Sequence, residues 1–176
     1  MRVIEIMTGS EIQYCSPETM LHQAAKMMKK ANCGALPVVD ENNKVVGLVT
    51  DRDICLSLAH RHTKTLPERN VGDIITAKVY SVKTDDELTE ALKQMRTNRV
   101  SRLPVVDKDG KLRGILSLHD LLSKALNGHA DLGSVADSGE NIAKTIRALI
   151  DRYSHVLQHQ AKEVTAGRRI SWEEAM

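Results

Sequence analysis

Aromatic residues are scarce in this chain of 176 residues, which has no Phe, one Trp and three Tyr. The scarcity argues against a surface built on aromatic stacking, and it leaves Val, Ile, Leu and Met to fill the interior. Because 41% of the residues are hydrophobic, the chain can still bury a core. The composition therefore favours aliphatic packing of strands against helices.

Cysteine and long apolar runs are scarce as well. The three cysteines, Cys15, Cys33 and Cys55, are odd in number and have no metal-ligand spacing, which predicts thiols in a reducing compartment. Near the N-terminus Glu5 precedes any apolar run of signal length, and no later run approaches the roughly 18 residues of a spanning helix. We therefore expect a cytoplasmic protein that does not insert into a membrane.

Charge and catalytic motifs narrow the function further. The 25 basic and 23 acidic residues are spread along the chain without a basic stripe, which argues against nucleic acid as a partner. The sequence has no Gly-rich phosphate loop, nucleophile elbow or Cys-x-x-Cys pair, so we expect no enzyme. His155 and His159 are spaced for one helix face but lack a third ligand, so we expect no metal site.

The chain repeats itself at an offset of 67 residues. Residues 21–55 align without a gap onto residues 88–122, and 12 of these 35 positions are identical. Further upstream, residues 3–8 resemble residues 71–76 at an offset of 68. The alignment divides the chain into a first repeat at 2–59, a linker at 60–70, a second repeat at 71–127, a loop at 128–136 and a C-terminal extension at 137–176.

Each repeat carries the pattern of a strand, a helix, two strands and a second helix. Residues 21–28 and 88–95 have apolar side chains at three- and four-residue steps, which predicts the first helix. Thr19 and Asp86 precede these segments, and both are favourable N-cap types. Two short apolar runs joined by a polar turn then predict a hairpin. Because a unit of about 60 residues is marginal alone, we expect the pair to share one core.

The duplicated motifs resemble those of cystathionine-β-synthase (CBS) domains, whose tandem pair is often called a Bateman module. Met-Thr at 7–8, Leu-Pro-Val-Val-Asp at 36–40 and 103–107, and the segments 47–53 and 114–120 carry the resemblance. It implies an α/β (α+β) fold of two β-α-β-β-α repeats, related by a pseudo-two-fold axis and separated by two clefts. It also implies a homodimer with an adenine nucleotide, namely AMP, ADP or ATP, as regulatory ligand, and with S-adenosylmethionine and NAD as alternatives.

Both repeats end their second hairpin strand in Thr-x-x-Asp or Ser-x-x-Asp, at the predicted start of a helix. A helix N-terminus attracts phosphate, and a carboxylate there can accept the two hydroxyl hydrogens of a ribose. The alternative is that both motifs are capping boxes, which satisfy only the N–H groups of their own helices. The resemblance assigns ribose binding to Asp53 and Asp120, with Thr50 and Ser117 beside them.

Other residues complete the predicted nucleotide site. The resemblance places Arg102 against phosphate and Ser101 on the ligand-lining surface, whereas the first repeat has Gly34 and Ala35 there. The two clefts should therefore bind phosphorylated ligands unequally. Two further candidates, Arg52 and His119, directly precede the motif aspartates. Four others are placed at the border of the base, namely Thr8, Gln13, Thr76 and Tyr80. The alternative for Arg52 and His119 is a solvated helix start, and for Tyr80 it is an edge strand.

The sequence thus predicts a regulatory module that senses adenine nucleotides and signals to a protein partner. The alternative is a scaffold that dimerises without binding a ligand. The C-terminal extension has apolar residues at helical steps from Ile142 to Leu157, which predicts an amphipathic helix. This helix either docks as a static brace or serves as the output element that meets the partner.

Overall fold

Each repeat folds into a helix, a β-hairpin and a second helix, in the order that the sequence predicts. The structure is a computed structural model, and it describes residues 1–10, 12–58, 69–75, 78–126 and 143–148. The elements of the first repeat are α1 (Leu21–Ala31), β1 (Ala35–Val39), β2 (Val45–Thr50) and α2 (Asp51–Ser57). Those of the second repeat are β3 (Val82–Lys83), α3 (Leu88–Asn98), β4 (Arg102–Val106), β5 (Leu112–Ser117) and α4 (Leu118–Leu126).

The strand predicted ahead of the first helix is very short in both repeats. In the second repeat β3 has two residues, which pair in parallel with Val105 and Val106 of β4. In the first repeat the strand is reduced to Cys15, which forms a single parallel bridge with Val38 of β1. Cys15 N donates to Pro37 O at 3.0 Å, and Cys15 O accepts a bond from Val39 N at 2.9 Å. The pairing ends there because a turn into the helix follows at once.

The first helix of each repeat begins where the apolar spacing predicts, at Leu21 and Leu88, but its N-cap differs from the prediction. Met20 and Glu87 are the N-caps, so the predicted caps Thr19 and Asp86 are wrong. Thr19 Oγ1 and Asp86 Oδ2 instead accept hydrogen bonds from the backbone N–H three residues upstream, at 3.0 and 2.8 Å. Short polar side chains favour such local bonds to the backbone, and here they close the turn that leads into the helix.

The two predicted hairpins form with equivalent registers. Leu36 of β1 lies opposite Val49 of β2, and β4 and β5 have the same alignment and the same position for their one register irregularity. The polar turns adopt positive φ at the equivalent residues Asn43 (61°) and Gly110 (80°). Asn and Gly are the residue types that tolerate this left-handed conformation, which explains the polar composition of both turns.

The tips of the two hairpins meet across a pseudo-two-fold axis. Val45 N donates to Gly110 O at 3.2 Å, and Leu112 N donates to Asn43 O at 3.0 Å. An offset of 67 residues exchanges these two hydrogen bonds, since Val45 is equivalent to Leu112 and Asn43 is equivalent to Gly110. The predicted pseudo-two-fold arrangement of the repeats is therefore confirmed.

The opening segments of the two repeats are exchanged. Val3 N donates to Asp86 O and Leu88 N donates to Met1 O, both at 3.0 Å, so the N-terminal segment packs on the second repeat. Residues 69–75 pack on the first repeat through the equivalent pair of bonds, which measure 2.8 and 2.9 Å. Each repeat thus supplies the segment that begins the fold of the other.

The interior is divided into two cores, not the single shared core that we predicted. One core combines Val3 and Ile6 with apolar residues of the second repeat. The other core combines Val71 with apolar residues of the first repeat, such as Leu36 and Val49. The exchanged opening segments account for this division. Because burying one such side chain stabilises a fold by about 1.5–3 kcal/mol, each core depends on the segment that it receives.

Most of the C-terminal extension, including the predicted stripe beyond residue 148, lies outside the described residues. Residues 143–148 are helical, and Thr145 is fully buried, with its Oγ1 3.4 Å from the carbonyl oxygen of Leu92 on α3. Ile146, a member of the predicted stripe, is half-buried. This part of the extension therefore contacts α3. Within the described ranges, no helix combines the length and apolar character that crossing a membrane requires.

Candidate functional site

Both Thr/Ser-x-x-Asp motifs form reciprocal caps at the start of a helix. Thr50 Oγ1 accepts a hydrogen bond from Asp53 N (3.1 Å), and Asp53 Oδ2 accepts bonds from Thr50 N (2.9 Å) and Thr50 Oγ1 (2.7 Å). Ser117 and Asp120 repeat the three bonds at 3.1, 2.8 and 2.6 Å. The capping role that we considered as the alternative is thus present at both motifs.

The caps use one oxygen of each carboxylate and leave the other, Oδ1, for further partners. No donor from the described residues binds Oδ1 of Asp53, whereas Thr8 Oγ1 lies 3.4 Å from Oδ1 of Asp120. Since an ionised carboxylate has about four acceptor positions, both aspartates can accept additional hydrogen bonds. The hydroxyl hydrogens of Thr50 and Ser117 are already donated to the aspartates, which leaves these two hydroxyls as acceptors toward a ligand.

The cavity around Asp120, which we call the Asp120 cleft, has a volume of about 450 Å³ and is lined by both repeats. It brings together six of the predicted site residues, namely Thr8, Gln13, Arg102, Ser117, His119 and Asp120. Other lining residues come from the first repeat, among them Cys33, Gly34 and Ala35. The cleft is therefore a site between the repeats, as the family resemblance implies.

The cavity around Asp53, which we call the Asp53 cleft, is the pseudo-symmetric counterpart and has a volume of about 390 Å³. It also brings together six predicted residues, namely Thr50, Arg52, Asp53, Tyr80, Ser101 and Arg102. Thr76, the remaining predicted residue, lies outside the described part of the chain. Every predicted site residue that the structure describes thus lines at least one of the two clefts.

The clefts combine residues of different repeats. Ser101 lines the Asp53 cleft, although it belongs to the same repeat as Asp120. Gly34, the equivalent of Ser101, lines the Asp120 cleft. Each cleft therefore joins the Thr/Ser-x-x-Asp motif of one repeat to the start of the first hairpin strand of the other. Arg102 lines both clefts, so the presence of Arg102 does not by itself distinguish one cleft from the other.

Sequence reasoning missed Asp51 and Lys78, which line the Asp53 cleft. Asp51 is the first residue of α2, where a carboxylate favours the positive end of the helix dipole. Lys78 Nζ lies 5.1 Å from the ring centroid of Tyr80, a distance typical of a cation–π contact. Both charged residues lie within two positions of a predicted site residue, and this proximity is the signal that could have identified them.

A third cavity of about 590 Å³ adjoins the Asp120 cleft and shares Cys33, Gly34 and Arg102 with it. Asp51 lines this third cavity as well as the Asp53 cleft. A Cβ added to Gly34 would lie 3.0 Å from Asp51 Oδ2 and 3.5 Å from Arg102 Nη2. The absent side chain at Gly34 therefore leaves room for the carboxylate of Asp51, and Arg102 lines all three cavities.

Metal ligands and a buried thiol are the other groups that could carry chemistry. In the part of the chain that the structure describes, no three His, Cys, Asp or Glu side chains come together to hold a metal ion. His155 and His159 lie outside that part. Cys15 is buried in the core of the first repeat, and this burial raises the pKa of its thiol to about 11. Cys15 therefore stays protonated at neutral pH, away from both clefts.

The fold and the paired clefts define a protein with tandem CBS domains. The model of the family described as CBS domain matches the chain twice, over residues 3–60 and 71–127. The chain therefore belongs to the CBS-domain family, and the resemblance inferred from its motifs is confirmed. One relative is the uncharacterized protein YlbB of Bacillus subtilis, which is 39% identical over 132 residues that cover 73% of this chain and 86% of YlbB.

Solved structures of CBS pairs share this fold. The CBS domain pair of protein MJ0100, in complex with methylthioadenosine and S-adenosylmethionine, matches with a TM-score of 0.61 and 27% identity over 74% of this chain and 98% of that one. CBSX2 in complex with AMP matches with a TM-score of 0.63 and 28% identity over 73% of this chain and 98% of that one. These matches confirm the predicted α+β fold class.

Proposed function

We propose that this protein is a regulatory module that binds an adenine nucleotide in each of its two clefts. The proposal rests on the hydrogen bonds of Asp53 and Asp120. Each aspartate caps its helix through Oδ2, and its Oδ1 can accept further hydrogen bonds. Two ribose hydroxyls are suitable donors for such an oxygen. Arg102 lines both clefts and supplies a guanidinium that can bind phosphate through two parallel hydrogen bonds.

The size of the clefts and the ligands of related structures support this proposal. Volumes of about 450 and 390 Å³ fall within the range of roughly 300–1,000 Å³ that is usual for small-molecule sites. AMP, methylthioadenosine and S-adenosylmethionine, the ligands named for CBSX2 and protein MJ0100, all contain adenine and a ribose ring. We assign the same ligand class to this chain, with AMP, ADP and ATP first and S-adenosylmethionine and NAD as alternatives.

We propose that the clefts bind their ligand without catalysing a reaction. A nucleophilic hydroxyl needs an adjacent base that removes its proton. Among the described residues, the one base that the hydroxyls of Thr50 and Ser117 contact is the aspartate of their own cap, and the accepting Oδ2 is also held by a backbone N–H of that cap. Purified protein should therefore leave ATP intact. ATP turnover that disappears in Asp120→Ala would contradict this proposal.

A second copy of the chain and a regulated protein target are the proposed partners. Leu56 and Leu58, at the end of α2, are 49% and 57% exposed. A subunit contact at this end of the helix would bury these two apolar side chains. We propose that this end of α2 lies in a homodimer contact. Sedimentation should show a dimer for the natural chain and a monomer for Leu56→Asp, and a monomeric natural chain would contradict the proposal.

Thermal denaturation with a panel of adenosine, AMP, ATP, S-adenosylmethionine and NAD tests the nucleotide proposal. A ligand at 100 times its Kd adds about 2.7 kcal/mol to the free energy of unfolding, which raises the Tm by several degrees. The double variant Asp53→Ala/Asp120→Ala is the control and should respond much less to each of these compounds, because both clefts lose the ribose acceptor. The complete caps at both motifs favour a scaffold as the second candidate, and a flat response of the natural chain would support it.

A further inference from the structure

Arg102 is a cationic residue without a counterpart at its pseudo-symmetric position. The offset of 67 residues makes Arg102 equivalent to Ala35, and these residues begin β4 and β1. Arg102 lines the Asp53 cleft and the Asp120 cleft, whereas Ala35 lines the Asp120 cleft and is too short to reach the other. A single guanidinium therefore lines both clefts. Exact pseudo-symmetry would instead give each cleft a guanidinium of its own.

The guanidinium of Arg102 lies beside Gly34 of the first repeat. A Cβ added at Gly34 would lie 3.5 Å from Arg102 Nη2, an ordinary contact distance, so the guanidinium extends across to the backbone of the first repeat. Gly34 lines the Asp120 cleft, and Arg102 itself lines both that cleft and the Asp53 cleft. Arg102 is half-buried, and side-chain rotamers of partly exposed residues exchange rapidly, so one guanidinium can turn toward either of the clefts that it lines.

The other basic groups are distributed unequally between the clefts. Arg52 and Lys78 line the Asp53 cleft together with Arg102. In the Asp120 cleft, His119 is the basic lining residue besides Arg102 among those that the structure describes. A phosphate in the Asp120 cleft therefore depends more strongly on Arg102 than a phosphate in the Asp53 cleft does.

We propose that the two clefts compete for Arg102 and are therefore antagonistic toward phosphorylated ligands. The antagonism presupposes the nucleotide binding proposed above and adds a form of regulation to it. A guanidinium that binds one phosphate through two hydrogen bonds is withdrawn from the other cleft, and the first phosphate repels the second. By linkage, each occupied cleft weakens the other by the same factor. An uncharged nucleoside makes no demand on Arg102 and fills the clefts independently.

Calorimetric titration with AMP and with adenosine tests this antagonism. Asp53→Ala and Asp120→Ala each leave one working cleft, and they report its affinity while the other cleft is empty. In the natural chain we expect the second AMP to bind about 10- to 100-fold more weakly than the single-cleft variant predicts, because one charge-assisted hydrogen-bonded contact is lost. Adenosine should bind the natural chain with the constants of the single-cleft variants.

Three further variants assign the effect to Arg102. Arg102→Ala should weaken AMP binding much more than adenosine binding, most strongly in the Asp120 cleft, and abolish the antagonism. Ala35→Arg supplies a second guanidinium at the pseudo-symmetric position and should reduce the antagonism while Arg102 remains. Lys93→Ala controls for the loss of one positive charge, because Lys93 is 65% exposed and lines none of the three cavities. It should behave as the natural chain does.

The possible results separate this antagonism from the proposed function. If the two AMP constants of the natural chain reproduce those of the single-cleft variants, or if Arg102→Ala keeps the antagonism, the clefts do not compete for Arg102. If neither AMP nor adenosine binds, the proposed nucleotide binding is wrong and the antagonism with it. Where a single-cleft variant fails to fold, the second AMP step decides the question: it should tighten in Ala35→Arg, and an unchanged second step would contradict the competition.

Discussion

Thr8 Oγ1 lies 3.4 Å from Oδ1 of Asp120 and donates a hydrogen bond to it, although 112 residues separate the two along the chain. Thr8 reaches Asp120 because its backbone pairs with Ile115 of β5 through hydrogen bonds of 2.9 and 3.0 Å. The Asp120 cleft therefore depends on the exchange of the opening segments. A change that displaces the N-terminal segment should alter both the stability of the fold and this cleft.

Gly114→Ala should displace the N-terminal segment. An added Cβ would lie 2.7 Å from the carbonyl oxygen of Thr8 and 2.8 Å from Sδ of Met7, so the backbone of the segment must move. We expect the free energy of unfolding to fall by about 1–3 kcal/mol, the usual cost of overpacking, and AMP binding in the Asp120 cleft to weaken. Urea denaturation and calorimetry measure the two effects.

Gly47→Ala is the matched control, because Gly47 is equivalent to Gly114 at the offset of 67 residues. Its nearest contact would be Cδ1 of Ile75 at 2.9 Å, which is the end of a flexible side chain that can rotate away. Gly47→Ala should therefore cost less stability than Gly114→Ala. Equal losses would show that the close approach of the Thr8 backbone does not determine the effect.

Asp120→Ala should weaken AMP binding in its cleft by about 1.5–3 kcal/mol, or roughly 10- to 100-fold, because it removes the acceptor for the ribose. Ser117→Ala is the matched control, since it also breaks the helix cap, at a cost of about 0.5–2 kcal/mol in stability, but keeps the carboxylate. Calorimetry should show that Ser117→Ala retains most of the AMP affinity. Comparable losses in the two variants would mean that the intact cap, and not Oδ1 of Asp120, holds the ligand.

The three cysteines should differ in their reaction with iodoacetamide. Cys33 and Cys55 are exposed, whereas Cys15 is buried with its pKa raised to about 11, so Cys15 should react slowest because little of it is thiolate. Cys33 lines the Asp120 cleft, and Cys55 lines none of the three cavities. Saturating AMP should protect Cys33 alone, as measured by mass spectrometry of the alkylated peptides. Undiminished alkylation of Cys33 would place AMP outside this cleft.

The ionised carboxylate of Asp107 should stabilise the folded state, and protonation of this carboxylate in acid should remove that stabilisation. Its Oδ1 accepts bonds from Lys111 N and Asp109 N, both at 2.9 Å, and its Oδ2 binds Arg113 at 2.7 Å. The backbone bond from Lys111 has the largest effect and lowers the pKa of this carboxyl group; desolvation, the next largest, opposes it, and the contacts with Arg113 and Asp109 N lower the pKa further. A lowered folded-state pKa gives stability that is complete above the unfolded value of about 3.9 and is lost as the pH falls through the folded value.

Asp107→Asn should therefore lower the Tm at pH 6, and the difference from the natural chain should shrink as the pH falls below about 4. Arg113→Ala is the control, since it removes the side-chain partner but keeps the backbone donor of Lys111, which is the largest cause of the shift. It should reproduce only part of the effect. A Tm difference for Asp107→Asn that does not change between pH 6 and pH 3 would contradict the assigned role of the ionised carboxylate.

The sequence by itself determined the duplication, the family and most local elements of this protein. Helical spacing in α1 and α3, the polar turns of the hairpins and the contact of Thr50 with Asp53 all involve residues close together in the chain. Their geometry depends on local backbone preferences, so the pattern of residue types is sufficient to predict them. The misplaced caps Thr19 and Asp86 show the limit of this reasoning, because the same residue types serve equally in the preceding turn.

Only the tertiary structure decided how the two repeats share their parts. Three features join residues that are far apart in the chain, namely the exchange of opening segments, the two cores and the contact of Thr8 with Asp120. The two repeats have similar apolar surfaces, on which either opening segment could pack. The apolar pattern of one repeat therefore does not specify which of the two opening segments packs on it. The placement of Ser101 with Asp53 and of Arg102 between both clefts depends on that packing. Such contacts are set by the fit of distant surfaces, which no local residue pattern encodes.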